Sequence, residues 1–167
     1  MRGSRIIPSR MKFVISIFLL VAVLSLVQAA TEKLPKDVAT ALHAPTNIVL
    51  YSLEPWEQPT AQDKTLHEVK ILGQISLHGK QTKDAITAFE TAIAQGEGFA
   101  GAHCFDPRHA LRVTADGQTY DFMLCYACGW LSVIRNEKEI VRLGAVGSPD
   151  QLNELLNAAK IPLSKSR

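Results

Sequence analysis

The chain has 167 residues, 18 basic and 16 acidic side chains, and a 47% hydrophobic composition. Four basic residues and no acidic ones lie in residues 1–30, which leaves 14 basic against 16 acidic in the remainder. A weakly acidic remainder without a basic stripe excludes nucleic acid as the expected partner, because such binding depends on neutralising phosphates.

The first thirty residues read as a targeting segment. Arg2, Arg5, Arg10 and Lys12 form a basic start, and Phe13 to Val27 is an uncharged apolar run. Val27-Gln28-Ala29 then places small residues where a signal peptidase reads, so cleavage is expected after Ala29 or Ala30. The run falls short of the roughly 20 apolar residues that cross a bilayer, so an uncleaved anchor is the lesser alternative. No cysteine stands near the cleavage point to accept a lipid. Met11-Lys12 would also open a compact signal. The expectation is a signal peptide over residues 1–29 and one exported domain over residues 30–167, periplasmic or extracellular. After cleavage no membrane span is expected.

The elements follow in chain order. A short helix is predicted around Val38 to Leu42, and a strand over Asn47 to Leu53. Pro55 and Pro59 mark a loop over Glu54 to Asp63. Val69 to Leu77 is a second strand with Gly73 as its bulge. Thr82 to Gln95 is a helix, with Ala85, Ile86, Phe89, Ala92 and Ile93 on one face, Thr82 capping its start and Gly96 its end. Ala110 to Thr114 and Thr119 to Leu124 flank Asp116-Gly117, a pair that favours a two-residue hairpin because both positions need positive φ. Trp130 to Arg135 and Glu139 to Leu143 form another hairpin around Asn136-Glu137-Lys138. Ser148-Pro149-Asp150-Gln151 opens a last helix, with Leu152, Leu155, Leu156 and Ala159 on its buried face and Pro162 beyond its end. The predicted fold is α+β: a mostly antiparallel sheet built from hairpins and packed with two main helices.

The chain has three cysteines, an odd number, so they cannot all pair within one molecule. Either one thiol is free, or it bridges two chains as a disulfide dimer, or all three hold a metal. The Asp116-Gly117 turn sets a register in which His109 faces Leu124. Continued outward, that register brings Arg108 to Cys125 and Cys104 towards the Cys125–Cys128 end. In a regular strand Cys125 and Cys128 would point to opposite faces, so they converge only if Tyr126-Ala127 bends. Cys104, His109, Cys125 and Cys128 thus match a Cys3His zinc set, with Cys125-Tyr126-Ala127-Cys128 as its C-x-x-C half-site and His103 as a substitute for His109. A structural disulfide with a spare cysteine fits the same residues. A catalytic thiol pair fits less well, since a redox C-x-x-C ordinarily opens a helix whereas Cys128 runs into a strand.

The segment Cys104-Phe105-Asp106-Pro107-Arg108-His109, followed by Asp116-Gly117 and then Cys125-Tyr126-Ala127-Cys128, resembles the core of a bacterial family of small secreted proteins and lipoproteins. Leu50-Tyr51-Ser52-Leu53 and the stretch ending near Ile161-Pro162-Leu163 extend the resemblance to roughly residues 48–163. It implies a shared motif and brings no activity with it.

Other motifs carry less. Gly96-Glu97-Gly98-Phe99-Ala100-Gly101 spells G-x-G-x-x-G, but a dinucleotide site needs a strand before it and a helix after it. Glu54 and Glu57 are two carboxylates in a proline loop, better read as solvated than as an acid–base pair. Tyr51 and Trp56 could line a ligand groove or simply pack. His67-Glu68 lacks the second histidine of a zinc-protease helix. Asp106 and Arg108 read as a local ion pair or cap, the functional alternative being that Arg108 and Arg112 grip an anionic ligand. The leading expectation is a non-enzymatic envelope domain, its cysteine–histidine cluster a structural metal site or disulfide, that binds a partner protein or small ligand. The alternative is a thiol–disulfide exchange or redox-sensing protein using Cys125 and Cys128.

Overall fold

The computed structural model describes residues 34–165, so the predicted signal peptide lies outside the described residues. The elements are α1 (Lys36–His43), β1 (Asn47–Glu54), β2 (Thr65–Leu66), β3 (Val69–Ser76), α2 (Lys80–Gln95), β4 (His109–Ala115), β5 (Gln118–Cys125), β6 (Trp130–Arg135), β7 (Lys138–Gly144) and α3 (Asp150–Ala158). The seven strands form one antiparallel sheet in the order β2-β3-β1-β4-β5-β6-β7. The α+β expectation holds. Three helices accompany the sheet, the first of them spanning the short helix expected around Val38 to Leu42. Hairpins alone do not build it, since β1 and β4 pair across the intervening β2, β3 and α2.

The alternation of side chains explains the layering. Ile48 and Leu50 of β1, Leu111 and Val113 of β4, Phe122 and Leu124 of β5, and Leu131 and Val133 of β6 join the main core. Val38 and Leu42 of α1, Ala85, Phe89 and Ile93 of α2, and Leu152 and Leu156 of α3 close that core from the helix side. The intervening residues Val49, Tyr51, Leu53, Ala110 and Met123 point the other way into a smaller cluster with Leu66. A strand with period-two side chains can feed two cores only if both faces are covered. Accordingly, every residue of β1 after Asn47 is buried.

Local chemistry explains where these elements begin and end. Asp116 and Gly117 have φ of 49° and 73°, and the register runs Ala115–Gln118 through His109–Leu124 as expected. Asn136 and Glu137 form a second two-residue turn, tighter than the three-residue one expected, with Lys138 paired to Arg135. The β3 bulge lies beside Gly73, where the register with β1 shifts between Ser52 and Leu53. Helix α2 starts two residues ahead of Thr82, after Gly79 turns the chain at φ 54°. Ser148 Oγ accepts the Asp150 N–H at the head of α3.

The C-terminal stretch crosses back over β1. Ser52 Oγ donates to the Pro162 carbonyl at 2.7 Å, and buried Glu54 accepts from Ser164 Oγ and the Lys165 N–H. Among the described residues no helix is long and apolar enough to cross a membrane.

Candidate functional site

The end of β5 turns into β6 through Cys125-Tyr126-Ala127-Cys128, and this turn organises the site. Gly129, at φ 72°, donates its N–H to the Cys125 carbonyl at 2.9 Å and lets Trp130 pair with Cys125. The bend swings Cys128 round onto Cys125, and the two are disulfide-bonded. Both are buried, at 2% and 1% exposure. The C-x-x-C therefore sits in a hairpin turn and not at a helix N-terminus, as its strand-like continuation predicts.

The loop before β4 is fastened over this turn. Ala102 N–H donates to the Cys128 carbonyl at 2.9 Å, and Trp130 Nε1–H donates back to the Ala102 carbonyl at 2.7 Å. Gly101 lies so close that an added Cβ would stand 2.3 Å from the Trp130 ring. These ties deliver Cys104, which is exposed and unbonded, to within 3.2 Å of Cys128 Sγ. The Asp106 N–H also points at Cys128 Sγ from 3.2 Å, and the Cys128 N–H points at Cys125 Sγ from 3.1 Å. Backbone donors aimed at sulfur favour negative charge there.

All three sequence-predicted cysteines meet. His109 lies apart from the sulfurs' immediate contacts: it faces Leu124 on β5, is buried, and its Nε2 pairs with Asn153 Oδ1 at 2.8 Å. An amide oxygen only accepts, so Nε2 carries the hydrogen and Nδ1 keeps its lone pair. That Nδ1 has no partner. Burial, with help from the nearby Arg108 charge and against the Asn153 hydrogen bond, lowers the His109 pKa to about 4. Burial also pushes Tyr126, whose ring packs edge-on to His109, up to about 12.

A cavity of about 30 Å³ is lined by Asp106, Arg108, His109, Cys125, Tyr126 and Pro149, among others. Arg108 Nε, like His109 Nδ1, is buried without a partner. Arg108 donates to the Ser164 carbonyl at 3.1 Å and lies over the Trp56 ring. Arg112 is engaged elsewhere by Asp121.

Among the described residues one group of ligand-type side chains shares two cysteines with the expected set. Cys104 Sγ, Cys128 Sγ and an Asp106 carboxylate oxygen lie within 4.8 Å of one another, and this group could hold a metal ion. Sequence reasoning missed Asp106, whose place two residues after Cys104 in a proline-bearing loop reads first as a cap. It also missed Asn153, which nothing in the sequence marks as the partner of His109.

Elsewhere the weighed motifs keep to ordinary roles. The G-x-G-x-x-G stretch follows α2 and leads to β4. Glu57 pairs with Lys70 and Lys165. No family model, curated protein or solved structure matches the chain.

Proposed function

We propose that the domain works through reversible thiol–disulfide chemistry in the cell envelope, with Cys125 and Cys128 as the redox pair and Cys104 as the thiol that partners meet. One observation supports this above all: an exposed thiol touches a buried disulfide, Cys104 Sγ to Cys128 Sγ at 3.2 Å. Exchange requires a thiolate to reach a disulfide sulfur. A disulfide that serves only as a staple needs no third thiol against it. The export half of the proposal rests on the basic, apolar and small-residue pattern of the N-terminus, and the kinship with small secreted proteins and lipoproteins rests on the quoted motif.

The test is equilibration with glutathione buffers of graded potential, followed by alkylation and mass measurement. The expected midpoint for Cys125–Cys128 lies above about −300 mV, the ceiling typical of structural disulfides. A midpoint below it would make the bond a staple.

A second reading is a soft-metal site in the reduced protein. It is supported by the convergence of Cys104, Asp106 and Cys128. Reduction frees the Cys125 and Cys128 sulfurs as thiolates, and zinc suits thiolates joined by an oxygen donor. His109 would join such a set only by turning its lone pair, at Nδ1, towards it. One zinc per reduced chain, lost in Cys128→Ser, is the result that would favour this reading.

A further inference from the structure

The contact between Cys104 and Cys128 allows more than a meeting with partners. We infer that the disulfide migrates within the molecule, from Cys125–Cys128 to Cys104–Cys128, so that the free thiol moves between the exposed Cys104 and the buried Cys125. This deepens the thiol-exchange reading and rests on it.

The step balances without an outside oxidant. The Cys104 thiolate attacks Cys128 Sγ, the Cys104–Cys128 bond forms, the Cys125–Cys128 bond breaks, and Cys125 leaves as a thiolate. The number of disulfides is one before and one after. Attack begins from a sulfur already 3.2 Å away, with the loop held by Ala102 and Trp130. The charge that arrives on Cys125 meets a donor already in place, the Cys128 N–H at 3.1 Å.

The leaving thiolate also has a destination. Cys125 borders the small cavity that it shares with Arg108 and His109, and the Arg108 Nε–H there lacks an acceptor. A buried donor left unmatched is costly, so a thiolate that accepts from it is stabilised. Cys125 is only 2% exposed, which keeps bulky oxidants from the hidden thiol. The exposed form has its reactive thiol at the surface, and the migrated form withdraws it.

Two measurements test the migration. Cys125→Ser, with Cys125→Ala as a second variant should the first fold poorly, removes the original partner. Each variant, incubated with oxidised glutathione, is expected to form Cys104–Cys128, identified by peptide mass mapping. In the unaltered protein, rapid acid quenching and maleimide labelling after denaturation should place label on both Cys104 and Cys125 and leave Cys128 unlabelled. Folded variants that keep Cys104 and Cys128 unbonded, together with label on Cys104 alone in the parent, would overturn the inference. The broader reading is separable: if Cys125–Cys128 still equilibrates with glutathione in that case, exchange stands without migration. If Cys104–Cys128 forms but the parent never exchanges with glutathione, migration stands and exchange with partners falls.

Discussion

Arg112 holds Asp121 through two parallel hydrogen bonds, Nε to Oδ1 and Nη2 to Oδ2, each 2.7 Å. His67 adds a third contact, Nε2 to Oδ2 at 2.7 Å, reaching from the turn between β2 and β3. The carboxylate is buried while Arg112 is partly open to solvent, so breaking the group falls short of the full cost for a buried pair. Asp121→Ala should lose about 2–4 kcal/mol, since it leaves the guanidinium and imidazole facing a vacated site. Urea denaturation measures it, and Asp121→Asn, which still accepts, should recover part of the loss.

Gly101→Ala tests the fastening of the cysteine loop. The new methyl would meet the Trp130 ring at 2.3 Å and the Cys128 carbonyl at 2.7 Å, so the loop must lift. The Ala102 ties then weaken and Cys104 moves off Cys128. Exchange of the parent disulfide with glutathione should slow by roughly tenfold, as misplaced reacting atoms lose their advantage. An unchanged rate would show that the 3.2 Å contact does not govern exchange.

Acid should weaken the fold through His109. Its pKa is lowered on folding, from the ordinary 6.5 to about 4, chiefly by burial. Between these values the unfolded chain binds the proton and the folded chain does not, so stability falls as pH drops through that window. The loss is on the order of 3 kcal/mol by pH 4 at 1.36 kcal/mol per unit. His109→Gln, which can keep a bond to Asn153, should flatten this slope in urea titrations from pH 7 to pH 4.

Reduction should leave the domain folded. Cys125 and Cys128 close a loop with a sequence separation of 3, and a loop that short restrains the unfolded chain little. Its removal should cost on the order of 2 kcal/mol on the chain-entropy account. Thermal melting with and without reductant measures this. Collapse of the fold on reduction would argue for a structural staple, because a redox pair must survive both states.

The legible parts of this molecule are those governed by short-range rules. Asp116-Gly117 sets its own turn and with it the β4–β5 register, and that register is what foretells the meeting of Cys104 with Cys125–Cys128. The β2–β3 turn shows the opposite case. His67 and Glu68 both adopt positive φ, 48° and 68°, with no glycine to announce it. His67 is held there by Asp121 and by Glu137 from the β6–β7 turn, contacts distant in sequence. The place of His109 was obscure for a similar reason. Its Nε2 pairs with Asn153 on α3, an element far along the chain. The place of β1 between β3 and β4 inside the sheet also depends on long-range burial.

The strap formed by Pro162, Ser164 and Lys165 has a consequence for maturation. Ser164 anchors Arg108, which borders the Cys125 cavity, and the strap binds Glu54 at the end of β1. A chain is made and folds from its N-terminal end first. All three cysteines are therefore present before the residues that fix Arg108 have been added. The first bond can form while the neighbourhood of Cys125 is still unfinished. The electrostatic setting of Cys125 is completed only once Ser164, well downstream of Cys128, has been added.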